Sequence, residues 1–185
     1  MSIREAVLLT GLAVLPGLGA VAPRYSLEDL VDHSEIIVEG TVTKSWSAWD
    51  QKHQFIWTHY DIQVMDWVRG SGGGSVVVSE PGGSVDGIYQ QASGFVPYTA
   101  GEHLVLFLYR TPIGYMRSTG AQQGKLKIDG SGRVKLDLAG IAVADGSGPR
   151  RTDLSTTRLS TLEGLQLAEA KSRIRVLARV RPYRE

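Results

Sequence analysis

Phe55-Ile56-Trp57-Thr58-His59-Tyr60-Asp61-Ile62-Gln63-Val64-Met65-Asp66-Trp67-Val68 is the longest strand candidate in this chain of 185 residues. Successive side chains of a strand point to opposite faces. One parity carries Ile56, Tyr60, Ile62, Val64 and Val68, the expected core side. The other carries Phe55, Trp57, His59, Asp61, Gln63, Met65 and Trp67, the expected outer side. A strand with one apolar and one mixed face belongs to a curled sheet around a single core.

The flanking segments extend that sheet. Upstream, Ile36 to Thr43 is rich in β-branched residues, and Gly40 in its middle predicts a bend or bulge. Trp46 to Gln54 is expected as a loop or a twisted hairpin arm. Downstream, the Gly70–Gly74 turn leads to a strand from Ser75 to Glu80, which Pro81-Gly82-Gly83 is expected to end. Residues 84–100 are expected to form a surface excursion. Leu104 to Tyr109 is apolar on both parities, as in a central strand covered on both faces. Lys125–Ile128 and Val134–Leu136 flank Asp129-Gly130-Ser131-Gly132 as a hairpin.

Helices are expected only near the ends. Ser26 and Asp29 have capping-box spacing ahead of Leu27, Leu30 and Val31, and this short helix should stop near His33-Ser34. At the other end Leu167, Ala170, Ile174 and Leu177 form a helical stripe. Residues 150–185 hold nine cationic and four acidic side chains, expected on the solvated face of that helix. The predicted class is mainly β: an OB-like five-stranded closed barrel with a short N-terminal helix and a C-terminal amphipathic helix. A β-sandwich is the alternative. The barrel spans 23–140, a flexible linker 141–158, and the basic helix 159–185.

The first 22 residues have the layout of a secretory signal peptide. Arg4 precedes the apolar run Ala6–Leu15, Pro16-Gly17 breaks it, and Ala20-Val21-Ala22 offers a small-residue cleavage site. Glu5 offsets Arg4 and Pro23 follows the cleavage site, which makes cleavage after Gly19 a second option. Removing residues 1–22 from the 185 leaves 163, one ordinary domain, exported to the periplasm or beyond. Cysteine is absent, so thiol nucleophiles, thiolate metal sites and cysteine lipidation are excluded. Asparagine is also absent, which excludes N-glycosylation. The net charge of +1 lacks the basic excess of a nucleic-acid binder. The C-terminal stripe lacks the bulky aromatic residues that favour membrane insertion. Arginine outnumbers lysine, the bias of a GC-rich bacterial genome.

Three segments together carry a resemblance: Ser26-Leu27-Glu28-Asp29-Leu30-Val31-Asp32-His33-Ser34-Glu35-Ile36-Ile37-Val38-Glu39-Gly40-Thr41-Val42, Val78-Ser79-Glu80-Pro81-Gly82-Gly83, and Gly101-Glu102-His103-Leu104-Val105-Leu106-Phe107-Leu108. Their order, over residues 26–110, resembles a group of uncharacterised bacterial exported proteins. More distantly it is similar to the netrin-like modules of tissue inhibitors of metalloproteinases and complement proteins. The resemblance implies an OB-type barrel and a binding role rather than catalysis, and suggests an accessory of a secreted protease. Those inhibitors place an N-terminal cysteine on the target's zinc, and this chain has none, so that route does not carry over.

The leading expectation is an exported, non-catalytic protein-binding module without cofactor or metal, whose partner is an exported protein or an envelope polymer. Candidate contact residues are Trp57, His59 and Trp67 on the outer strand face, and Tyr89, Phe95 and Tyr98 on the excursion. Exposed aromatic residues favour binding surfaces, and they also stack on sugars, which makes a carbohydrate or envelope-polymer binder the second class. A metal-dependent enzyme around His59 and Asp61, with His53 nearby, is the third. A hydrolytic serine lacks its Gly-x-Ser-x-Gly elbow, and the Gly70–Gly74 run lacks the Lys-Ser/Thr ending of a phosphate loop.

Overall fold

A computed structural model describes residues 22–92, 94–138, 143–144 and 158–184. The chain runs β1 (Ala22–Pro23), α1 (Leu27–Asp32), β2 (Ile36–Trp49), β3 (Ile56–Arg69), β4 (Ser75–Val85), β5 (Ile88–Gln91), β6 (His103–Arg110), β7 (Met116–Ser118), β8 (Lys125–Ile128), β9 (Val134–Leu136), β10 (Val143–Ala144) and α2 (Leu167–Val180). Residues 1–21 of the expected signal peptide 1–22 and most of the expected linker lie outside the described residues, while Ala22 belongs to β1. Val143–Ala144, within that linker, pairs in parallel with Ala22–Pro23. No helix among the described residues is long and apolar enough to cross a membrane.

The fold is mainly β, and five strands pair in a ring, β2–β3–β4–β7–β6 and back to β2. All contacts in the ring are antiparallel except β4–β7, which is parallel and meets only at Val78 and Met116. At this short seam Glu80 takes over from the ladder. Its fully buried carboxylate accepts the Ser118 backbone N–H at 3.0 Å, and the Arg117 guanidinium covers it at 3.3 Å. Burial in the wall pushes the Glu80 pKa up to about 7, against the pull of Arg117 and Ser118.

The expected two-sided burial of the central strand is present. Leu104, Leu106 and Leu108 of β6 point into the ring with Val38, Val42, Tyr60, Ile62 and Val78. Val105 and Phe107, on the opposite parity, pack beneath α1 and α2 with Leu30, Val31, Ala170 and Ile174. α1 has the expected capping box: Ser26 Oγ accepts from the Asp29 N–H while the Asp29 carboxylate accepts from the Ser26 N–H. Gly40 lies at a register shift in β2, where an added Cβ would stand 2.6 Å from the Gln63 carbonyl oxygen. The β8–β9 hairpin forms as expected, its turn tied by Asp129 to Ser131 and Arg133.

Three expectations are corrected. β4 does not stop at Glu80; Gly82 and Gly83, at φ 107° and 135°, bend the strand and let it continue to Val85, where it pairs with β5. The 84–100 stretch is only partly superficial, because Val96 and Tyr98 turn back and fill the ring interior. The basic face of α2 is not simply solvated. Lys171 bonds Glu39 and Asp66, Arg175 bonds Asp66 at 2.5 Å, and beyond the helix Arg181 grips Asp32 with two contacts of 2.6 Å. Burial is the largest single influence on the Asp32 and Asp66 carboxyls and raises them, but these partners together outweigh it and hold both below their ordinary range.

Candidate functional site

Alternation along the first half of β3 puts Trp57, His59 and Asp61 on the outside of the ring. Register with the neighbouring strands then builds rows across the sheet: Ala48–Trp57–Pro81, Trp46–His59–Ser79 and Lys44–Asp61–Val77. The Thr111–Tyr115 turn folds a further ring onto this surface, closed by the Thr111 N–H to Tyr115 carbonyl bond at 2.7 Å. The result is a continuous aromatic row. Trp46 lies 5.3 Å from His59, His59 5.5 Å from Tyr115, and Tyr115 4.9 Å from Trp57, the last two contacts edge-on. A cation stands at each end: Lys44 is 5.5 Å from the Trp46 ring and Arg117 5.9 Å from Trp57.

Trp46 is 41% exposed, while Trp57, His59 and Tyr115 are half-buried by one another. His59 Nδ1 shares a 2.8 Å hydrogen bond with Ser79 Oγ, and burial lowers its pKa, so the ring is neutral at pH 7. Asp61 Oδ2 lies 3.8 Å from Lys44, and its buried Oδ1 has no hydrogen-bond partner. Beside Trp57 a cavity of about 270 Å³ opens between Phe55, Pro81 and Gln91. Phe55 is 61% exposed at its rim.

Of the six expected contact residues, only Trp57 and His59 belong to this row. Trp67 does not, because a register shift in the β2–β3 ladder, with Met65 as the extra residue, reverses the alternation. Its ring packs toward the ring interior and lies over Gly72, with the indole N–H donating to the Gly73 carbonyl at 3.3 Å. Val68 consequently faces the helices instead of the ring interior. Tyr89 is exposed on β5, and Phe95 is half-buried near the Gly82 bend. Tyr98 is not a surface residue: its hydroxyl bonds Ser118 Oγ inside the ring, its ring rests 4.6 Å from Tyr60, and Lys125 stands 4.5 Å above it.

Trp46, Tyr115, Lys44 and Arg117 complete the surface and were not among the expected contact residues. Lys44-Ser45-Trp46-Ser47 alternates like a strand continuing from Thr43, a legible signal for Trp46. Tyr115 arrives from a turn distant in sequence and has no such signal. His53 is not part of the site; it packs on Trp49 at the tip of the β2–β3 hairpin, 6.1 Å between centroids. Among the described residues no three His, Asp or Glu side chains gather to hold a metal. The surface offers tilted and edge-on rings, two cations and an incompletely bonded carboxylate. No family model matches the chain, and no curated protein is significantly similar to it.

Proposed function

We propose that this protein is an exported, non-catalytic module that binds another exported protein through the outer face of β2, β3 and β4. The observation that carries this reading is the aromatic row Trp46–His59–Tyr115–Trp57 with a cation at either end. Tryptophan, tyrosine and arginine dominate the energetics of protein interfaces, particularly beside a pocket that can take a partner's side chain. The rings also support one another edge-on, which holds their rotamers before binding and lowers the entropy lost on association.

An OB-like barrel is the framework we propose for this surface. In ring order the strands run first, second, third, fifth, fourth and back to first, with the third and fifth parallel and barely joined. A five-stranded, partly open barrel is the OB pattern. The netrin-like resemblance supports the same framework, and the narrower role as accessory to a secreted protease rests on that resemblance alone. Export rests on the apolar leader and its small-residue cleavage site. Catalysis is not proposed, because the Ser79 hydroxyl bonded to His59 is buried under the aromatic row.

One observation favours a carbohydrate or envelope polymer as the second reading: the partly open Trp46 ring, a surface on which sugars stack. Affinity capture from the exported fraction of the native host, using wild type, Trp46→Ala and Tyr115→Ala, tests both. A protein retained by wild type and lost by both variants is the expected result. Retention by the variants overturns the assignment of this face, and Trp46-dependent sedimentation with envelope polymer in place of a captured protein establishes the second reading.

A further inference from the structure

A second cavity meets the aromatic row at Arg117 of β7 and is otherwise lined by different residues. It has a volume of about 380 Å³, within the range of small-molecule sites. Tyr25, Tyr109 and Tyr183 supply its aromatic walls, and Arg117, Arg184 and His33 its polar ones. The buried residues Ser118 and Thr119 line its inner part. At Gly120, φ is +63° and an added Cβ would stand 3.1 Å from the Tyr25 ring, so this backbone approaches the ring more closely than a side chain allows.

The lining is one-sided in charge. Among the described residues it contains two arginines and a histidine and no carboxylate. The acids that balance these arginines stand outside the lining and hold them loosely. Arg117 contacts Glu80 at 3.3–3.4 Å. Arg184 lies 3.7 Å from Asp32, whose two oxygens Arg181 already binds at 2.6 Å. Arg184 is 61% exposed on its side chain and keeps donors for a ligand. Aromatic walls, a few convergent polar groups and the spare guanidinium donors of Arg184 select a flat apolar body with an anionic end.

We propose that this cavity binds a small planar aromatic molecule bearing a carboxylate, with its ring among Tyr25, Tyr109 and Tyr183 and its carboxylate toward Arg184 and Arg117. This site shares Arg117 with the protein-binding face, whereas Arg184 and the three tyrosines belong to the cavity alone. Calorimetric titration of the full chain with 2-naphthoate and with the neutral 2-naphthamide tests it, with amide chemical shifts locating the ligand. Saturable binding of naphthoate about tenfold tighter than naphthamide is expected, with shifts at Tyr25 and Gly120. Arg184→Gln should remove that preference while leaving naphthamide unchanged, and Arg181 still neutralises Asp32 in this variant. Tyr109→Ala should weaken both ligands. Equal affinity for the two compounds, no saturable binding, shifts confined to other surfaces, or an unchanged preference in Arg184→Gln overturns the proposal.

Discussion

At its C-terminal end β3 is covered: Asp66 is held by Lys171 and Arg175, and Val68 packs in the cluster beneath the helices. At its N-terminal end the outer face carries Trp57 and His59, which among the described residues meet the Tyr115 and Trp46 rings and no helix. Both ends lie on the outside of one ring of strands. The covered end pairs its charges with helix cations and joins a core; the open end keeps rings, a loosely paired acid and two flanking cations. Apolar surface left uncovered in this way, beside a fully covered counterpart on the same strand, is where association stabilises most.

The contrast can be broken most severely under the helices. Phe107→Ala should destabilise the fold by about 3–5 kcal/mol in urea denaturation, because the ring is fully buried between β6 and both helices. A loss below about 1 kcal/mol would mean that the helices contribute little to the core.

The next largest effect lies at the ring seam. Glu80 has a folded pKa of about 7 against an ordinary 4.5. Its contribution is fully present below about pH 4.5 and is lost as pH rises through about 7, amounting to on the order of 3 kcal/mol. His59, with its lowered pKa, works in the opposite direction and loses its contribution as pH falls. Comparing wild type with Glu80→Gln at pH 5.5 and pH 8 separates the two. The variant should lose the alkaline destabilisation and keep the Ser118 hydrogen bond; an identical pH profile would remove Glu80 from the seam's energetics. Asp32 and Asp66, with lowered pKa values, lose their contributions only at more acidic pH.

The smallest effect on stability should occur on the open face. Trp46→Ala should change unfolding free energy by about 1 kcal/mol or less, since the ring is 41% exposed, yet abolish partner capture. A loss of several kcal/mol would identify Trp46 as a structural residue and remove the premise of a contact surface.

Local order was legible along much of the chain. The Ser26–Asp29 capping box, the Gly40 bend, the doubly apolar Leu104–Tyr109 strand and the Asp129 hairpin each depend on residues a few positions apart, and period and spacing reveal them. Trp67 and Tyr98 were misread for two different reasons. Parity is inherited residue by residue, so one extra residue such as Met65 inverts everything beyond it, and no local signal marks it. Tyr98 sits in a polar, glycine-bearing stretch whose inward turn depends on Tyr60 and Ser118, far away in sequence.

By itself the amino-acid sequence determined the β class, the two helices and the absence of thiol chemistry, because strand period, capping and composition are short-range properties. Only the tertiary structure decided which outer face was covered, which rings met and which acid sealed the ring. Those outcomes depend on register and closure, where residues tens of positions apart, such as Trp57 and Tyr115 or Glu80 and Ser118, compete for the same few ångströms of space.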